Sequence, residues 1–475
     1  MKPNAFLTVC GALAVAACGG GGGEQVAGID RGGIPAPSAG VVSQGAITGF
    51  GSVILNGVTF DTSNATFTID GTAGSQSDLA VGQVIVVQGE LGDDTTTGTA
   101  DSVTFDDAVE GPILAIDTIA STLTVLGQTV RVDADTSFDD SITPASLDGL
   151  DVDDVVEVSG FFLADGSISA TRIELRSVAD EFELTGQVSN ASGTTFEING
   201  FVVDFSNAND IIGFPNGTPE NGQRVEAKGD MLNASGQLVA TRVEFKGGGF
   251  GEDGDRGELE GFITRFGSAT DFDVEGIPVM TNAQTVFENG TSVDLALNRK
   301  VEVEGDINAS GVLVATNVEI KASGFMRIES FVEDVQSDQL TVLGIVVTVN
   351  AATRIEDKSS ANLEPFDLGD INVSDYVEIR GFEDASGVVA TLLEREDFDG
   401  EVALRGFVDA GSANDPNFTI LSVDVMTVGG TEFRDLTGAL ISSGEFFAQA
   451  EGQIVEATGT LNGSTIIANE VQFEN

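Results

Sequence analysis

Apolar and polar positions alternate with period two in short runs through most of the chain, as in Val301-Glu302-Val303-Glu304-Gly305, Val225-Glu226-Ala227-Lys228-Gly229, Val377-Glu378-Ile379-Arg380-Gly381 and Val455-Glu456-Ala457-Thr458-Gly459. This periodicity predicts half-buried β-strands, with Val, Ile, Leu and Ala on one face and charged or hydroxyl residues on the other. Each run ends in Gly and leads through a polar pair, such as Asp165-Gly166, Ser235-Gly236, Ser310-Gly311 or Asn462-Gly463, into a second strand. Such pairs predict hairpin turns, where Gly supplies a positive φ. The second strand opens with a small pair, as in Ala170-Thr171, Ala240-Thr241, Ala315-Thr316 and Ala390-Thr391.

The pattern repeats six times, and the anchoring glycines 89, 160, 229, 305, 381 and 459 lie 69 to 78 residues apart. Upstream of each, a second signature recurs: Leu123-Thr124-Val125-Leu126-Gly127 returns unchanged as Leu340-Thr341-Val342-Leu343-Gly344. Val53 to Gly57, Phe196 to Gly200 and Phe272 to Gly276 are variants, and Ile420 to Asp424 has lost the Gly. A third signature opens the units, as in Gly111-Pro112-Ile113, Gly186-Gln187-Val188, Gly261-Phe262-Ile263 and Gly406-Phe407-Val408. Each unit therefore holds five strands, with a variable segment, a short helix or a loop, between the third and fourth. An all-β fold follows: a tandem array of about six small five-stranded OB-like β-barrels, because closure removes the exposed edges a five-stranded sheet would leave. A sheet shared between neighbouring units is the alternative. The expected repeats are 45–107, 108–178, 179–248, 257–324, 325–399 and 400–475, with an acidic Gly-rich linker at 249–256.

The paired LTVLG and VEV-x-G…AT motifs resemble those of bacterial secreted and lipoprotein repeats known as domain of unknown function 5666. The resemblance covers roughly residues 45–475 and implies a repeated β-domain, with no catalytic residues to carry over.

The N-terminus reads differently. Lys2 precedes the apolar stretch Ala5 to Ala17, which is too short to span a bilayer and suits a signal-peptide core. Val15-Ala16-Ala17-Cys18 resembles the bacterial lipobox, so residues 1–17 are expected to be removed and Cys18 to be lipidated, with palmitate among the acyl chains. Gly19 stands where an Asp would favour retention at the inner membrane, so an outer-membrane lipid anchor is expected, facing the periplasm or the cell surface. Several acyl chains make a stable anchor. Residues 18–44, rich in Gly, Pro and Ser, read as a disordered tether.

Composition narrows the chemistry. The chain has 76 Asp and Glu against 21 Lys and Arg, a net charge of −55, and no His or Trp. Polyanions repel it, so nucleic acid is not an expected partner. Loss of the signal would remove Cys10, and lipidation would consume Cys18, leaving neither thiol nor imidazole for nucleophilic catalysis. Tyr376, the only Tyr, is expected to pack half-buried on the fourth strand of the fifth unit. A non-enzymatic chain without a cofactor is the expectation, calcium excepted. Asp151, Asp153, Asp253 and Asp255 are the candidate calcium ligands, because hard cations want several carboxylate oxygens from flexible loops. The expected role is a structural or multivalent binding array in the cell envelope. Its partners would be the membrane through Cys18, an envelope protein or polysaccharide, and cations. A calcium-stabilised surface stalk or a glycan-binding module is the alternative.

Overall fold

The computed structural model describes residues 40–92, 94–133, 135–176, 181–247, 249–321, 325–384 and 387–474. The signal segment, Cys18 and nearly all of the expected tether lie outside them. The opening strand Gly40–Phe50 takes the last five residues of the expected tether, and the strand Arg256–Ser268 takes the last residue of the expected linker.

Each repeat is a five-stranded barrel in the same order, although the last strand of the third is split into Leu238–Val239 and Arg242–Phe245 and the first two strands of the sixth meet only at the Val408–Ile420 bridge. In the second, the opening strand Val109–Asp117 pairs antiparallel with Thr122–Val125, which pairs with Gln128–Arg131. That third strand runs parallel to the last strand, Ile168–Arg176. The last strand pairs antiparallel with Val155–Phe162, and Val155–Phe162 returns to the opening strand. The ring of the fifth repeat is the same: Met326–Val335, Gln339–Val342, Ile345–Thr348, Gly387–Glu396 and Tyr376–Asp384. This is the OB-like barrel the periodicity predicts. One element was not anticipated: the variable segment contributes a short sixth strand, parallel to the last, such as Arg354–Asp357 beside Gly387–Glu396. It is followed in three repeats by a single 3-10 turn and in the sixth by the helix Ser443–Phe447.

The turn between the second and third strands places two consecutive residues at positive φ, as at Leu126-Gly127 (44° and 73°) and Leu343-Gly344 (53° and 74°). The LTVLG motif is therefore a strand ending at Val followed by a type I′-like turn. The anchoring glycines do not end their strands as the sequence suggests. Five of the six fourth strands run through them, with a bulge at the glycine, as between Glu304 and Gly305. A Cβ at any of the six would meet a carbonyl oxygen of the last strand at 2.0–2.3 Å, so Gly is required here by close approach of two backbones.

The barrels are joined in pairs. The first half of each opening strand pairs with its fourth strand on one side, which leaves the other side free. In the second and third repeats, Val109–Asp117 and Phe182–Ser192 cover each other there, antiparallel. Met326–Val335 and Val402–Phe407 do the same in the fifth and sixth. Gly40–Phe50 and Arg256–Ser268 join the first and fourth in parallel, which is possible only because whole repeats lie between them in the chain. Three sheets result, so spatial order is not chain order. Barrels and shared sheets coexist, and each pairing removes a sheet edge from solvent. One apolar cluster spans the second and third repeats and another the fifth and sixth, whereas the first and fourth keep separate clusters. Phe60, Phe105, Phe196, Phe272 and Phe418 are fully buried in these cores, the inward role their alternation implies; Phe446 joins them from the short helix, and Phe161 is buried against Phe262 of another barrel.

Candidate functional site

The polar faces of the strands do not all face water. Where the first, second, fourth and fifth repeats meet they line a cleft of about 120 Å³ that includes Asn56, Asp133, Thr171, Glu260, Lys300 and Arg354. Its two lysines are paired with acids. Lys300 lies 2.8 Å from Glu260 and 5.1 Å from the centre of the Phe161 ring, and Lys321 lies 2.7 Å from both Glu302 and Glu319. Burial works to raise the Glu260 carboxyl, but the ammonium groups of Lys300 and Lys321 outweigh it and hold the group below its ordinary value.

Side chains of one barrel satisfy backbone groups of another around this junction. The Ala46 amide donates to Glu260 Oε2 at 3.0 Å, and the Val84 amide to Ser159 Oγ at 2.7 Å. Glu275, held by a turn at φ 51°, accepts from the amides of Phe162 and Phe262, both at 3.0 Å. Burial raises its carboxyl to about 7, against the opposing charge of Arg224. In the other direction, Arg172 donates to the carbonyl of Val81 at 3.2 Å and Arg224 to that of Glu275 at 3.3 Å. Arg354 reaches the carbonyls of Thr171, at 2.9 Å, and Asp135. This arrangement is built to hold barrels in fixed register, because each bond satisfies a backbone group that burial would otherwise leave unpaired.

Tyr376 is more deeply buried than expected, at 4% exposure. It packs against Phe331 and Phe398, and its hydroxyl donates to the carbonyl of Glu401 at 2.7 Å. Burial moves its pKa strongly upward, away from any acid–base use near neutrality.

The loop acids singled out by sequence are not brought together. Asp151, Asp153 and Asp253 sit exposed on turns. Asp255 accepts the amide of Glu252, and Asp154 that of Asp151, each at 2.8 Å. Among the described residues, the carboxylates that converge are others: Asp70, Asp107, Glu110, Glu157 and Glu183 around the first three repeats, and Glu329, Glu378 and Glu396 in the fifth. Most come from strand positions that alternation marks simply as outward, and only their placement against another barrel distinguishes them. The exposed aromatic residues, Phe266, Phe398 and Phe407, do not recur at one position across repeats, so no common stacking face is present among the described residues.

Residues 39–104, 110–174, 185–244, 260–319, 329–394 and 405–472 each match the family model described as Domain of unknown function (DUF5666). No curated protein matches. A solved structure described as "drosophila Unr CSD456" is similar at 17% identity, over 46% of this chain and 98% of that one; its TM-score of 0.12 carries no argument. Six matches spanning most of the chain, each falling on one closed barrel, place this protein in the DUF5666 family as a six-repeat member.

Proposed function

We propose that this chain is a lipid-anchored, non-enzymatic protein of the cell envelope whose six barrels form a structural platform for multivalent binding. The observation that supports this best is the cross-barrel locking, in which buried arginines and carboxylates of one repeat satisfy backbone groups of another. A locked set of repeated modules presents its surfaces at constant spacing, the condition under which weak contacts add into avidity. The surface offered is strongly anionic, since 76 acids face 21 bases in the full sequence. That charge favours cationic partners and counter-ions and disfavours nucleic acid. Anchoring rests on the lipobox-like Val15 to Cys18.

The test is fractionation of a Gram-negative host expressing the full chain and its Cys18→Ser variant, with protease treatment of intact cells and a pull-down of envelope components. Outer-membrane recovery of the parent alone, with a saturable envelope partner, supports the proposal. Equal soluble recovery of both, with no partner retained, overturns it.

A further inference from the structure

Asp107 lies between the last strand of the first repeat, Thr97–Phe105, and the first strand of the second, Val109–Asp117. It is 1% exposed, and among the described residues neither of its carboxylate oxygens has a hydrogen-bond partner. A buried, unpaired carboxylate is among the most costly groups a protein can hold. Its surroundings deepen the problem. One oxygen each from Asp107, Asp70 and Glu183 lie within 4.8 Å of one another, as do oxygens of Asp107, Glu110 and Glu157. Glu183 Oε1 is also buried without a partner.

The basic groups at hand are engaged elsewhere on the rim. Lys228 pairs with Glu183 Oε2 and with Glu226, and donates to the carbonyl of Asp70 at 3.1 Å. Arg176 pairs with Glu157 and lies 3.7 Å from Glu174. Two carboxylate triads therefore share Asp107, whose oxygens have no hydrogen-bond partner, while Lys228 and Arg176 pair directly with other members.

We infer that Asp107, with Asp70 and Glu183, forms a binding site for one divalent cation, calcium by its chemistry, that ties together the first three repeats. Two oxygens bound to the same calcium at about 2.4 Å stand at most about 4.8 Å apart, the spacing these triads keep. Calcium fits better than magnesium, because an all-carboxylate set drawn from three separate elements cannot readily supply magnesium's strict octahedron and retained waters. The ligands come from a turn of the first repeat, the linker that leads into the second, and the opening strand of the third repeat. Binding would therefore oppose separation of these barrels. This site is independent of the envelope-platform proposal and differs from the exposed loop acids Asp151 and Asp253.

The experiment is calorimetric titration of the chelator-treated full chain with calcium chloride, followed by thermal melts in calcium and in chelator. The parent, Asp107→Asn, Glu183→Gln and Asp253→Asn are compared. The parent and Asp253→Asn should take up one equivalent and melt higher in calcium, and magnesium should not substitute. Asp107→Asn should lose both effects while melting in chelator at or above the parent, since an uncompensated buried charge has gone. Glu183→Gln should weaken uptake at least about tenfold, the scale on which loss even of a supporting group weakens metal sites. Absence of saturable uptake by the parent at millimolar calcium, or one-equivalent uptake retained by Asp107→Asn, would overturn the assignment. A cell-envelope location or partner would be untouched by either result.

Discussion

Arg354 of the fifth repeat donates its guanidinium to the carbonyl of Thr171 in the second, 183 residues earlier, at 2.9 Å. Thr171 belongs to the small pair that opens the last strand of its barrel, and Arg354 begins the short sixth strand of another. The contact couples two repeat motifs that share no sheet. Arg354→Ala would remove this donor from the buried carbonyl of Thr171, at a cost of about 2 kcal/mol. Arg354→Lys should recover only part, because a single ammonium cannot reproduce the planar fork. Urea unfolding followed by circular dichroism checks this; equal midpoints for the parent and Arg354→Ala would refute it.

The bulge glycines lead to a second expectation. At Gly305 a Cβ would stand 2.1 Å from the carbonyl oxygen of Val314, a backbone atom that cannot rotate away. Gly305→Ala should destabilise the chain by about 3 kcal/mol, at the upper end of overpacking costs. Gly311→Ala, at φ 73° with nothing within 4 Å, should cost only about 1 kcal/mol. Comparing the two by chemical denaturation separates close approach from turn conformation.

The sixth repeat lacks the turn glycine of the others, and Leu421 and Ser422 adopt φ values of 49° and 65° in its place. Ser422 is exposed, and its backbone amide, which any residue retains, donates to Asp409 at 2.9 Å. Ser422→Gly should therefore stabilise the protein by about 1 kcal/mol, read as a raised denaturation midpoint. A lowered midpoint would show that the serine side chain does more than occupy the turn.

Acid–base linkage has a defined sign. Burial raises Glu110, Glu258, Glu275, Glu329 and Glu394 from 4.5 to about 7, and Glu396 to about 8. A carboxyl raised on folding binds its proton more tightly in the folded state. Its favourable contribution is fully present below about 4.5 and is lost as pH rises through the folded value. Asp357 acts oppositely: its hydrogen bonds with Arg395, Ser359 and Leu363 overcome burial and lower it to about 2, so its contribution is lost only as pH falls toward that value. In chelator, the melting temperature should rise as pH is lowered from 8 to about 5 and fall again below about 3. A melting temperature that climbs from pH 5 to 8 would contradict this balance.

Alternation with period two and the recurring glycines were enough to specify strands, repeat number and an OB-like barrel, because both depend on residues near one another in the chain. Val301 to Gly305 is legible as a strand wherever its partner lies. The sixth short strand was not, since Arg354–Asp357 carries a single apolar residue, Ile355, too little for an alternation, and pairs in parallel with Gly387–Glu396 far along the chain. The convergent carboxylates escaped for a related reason. Glu110, Glu157 and Glu183 look like ordinary outward residues of amphipathic strands, whereas the adjacent acids of Asp151 to Asp154 and Glu252 to Asp255 draw attention by clustering in sequence yet lie on solvated turns.

Sequence alone thus determined the unit, its turns and its apolar face, which are set by local sterics and the burial of alternate side chains. Tertiary structure decided which barrels pair, and that the first lies beside the fourth. It also turned polar faces into buried interfaces, where Asp107 lacks a partner and Arg354 finds three. The physical reason is that free sheet edges and unpaired backbone groups have no preferred neighbour in sequence; they are satisfied by whatever surface folding brings against them.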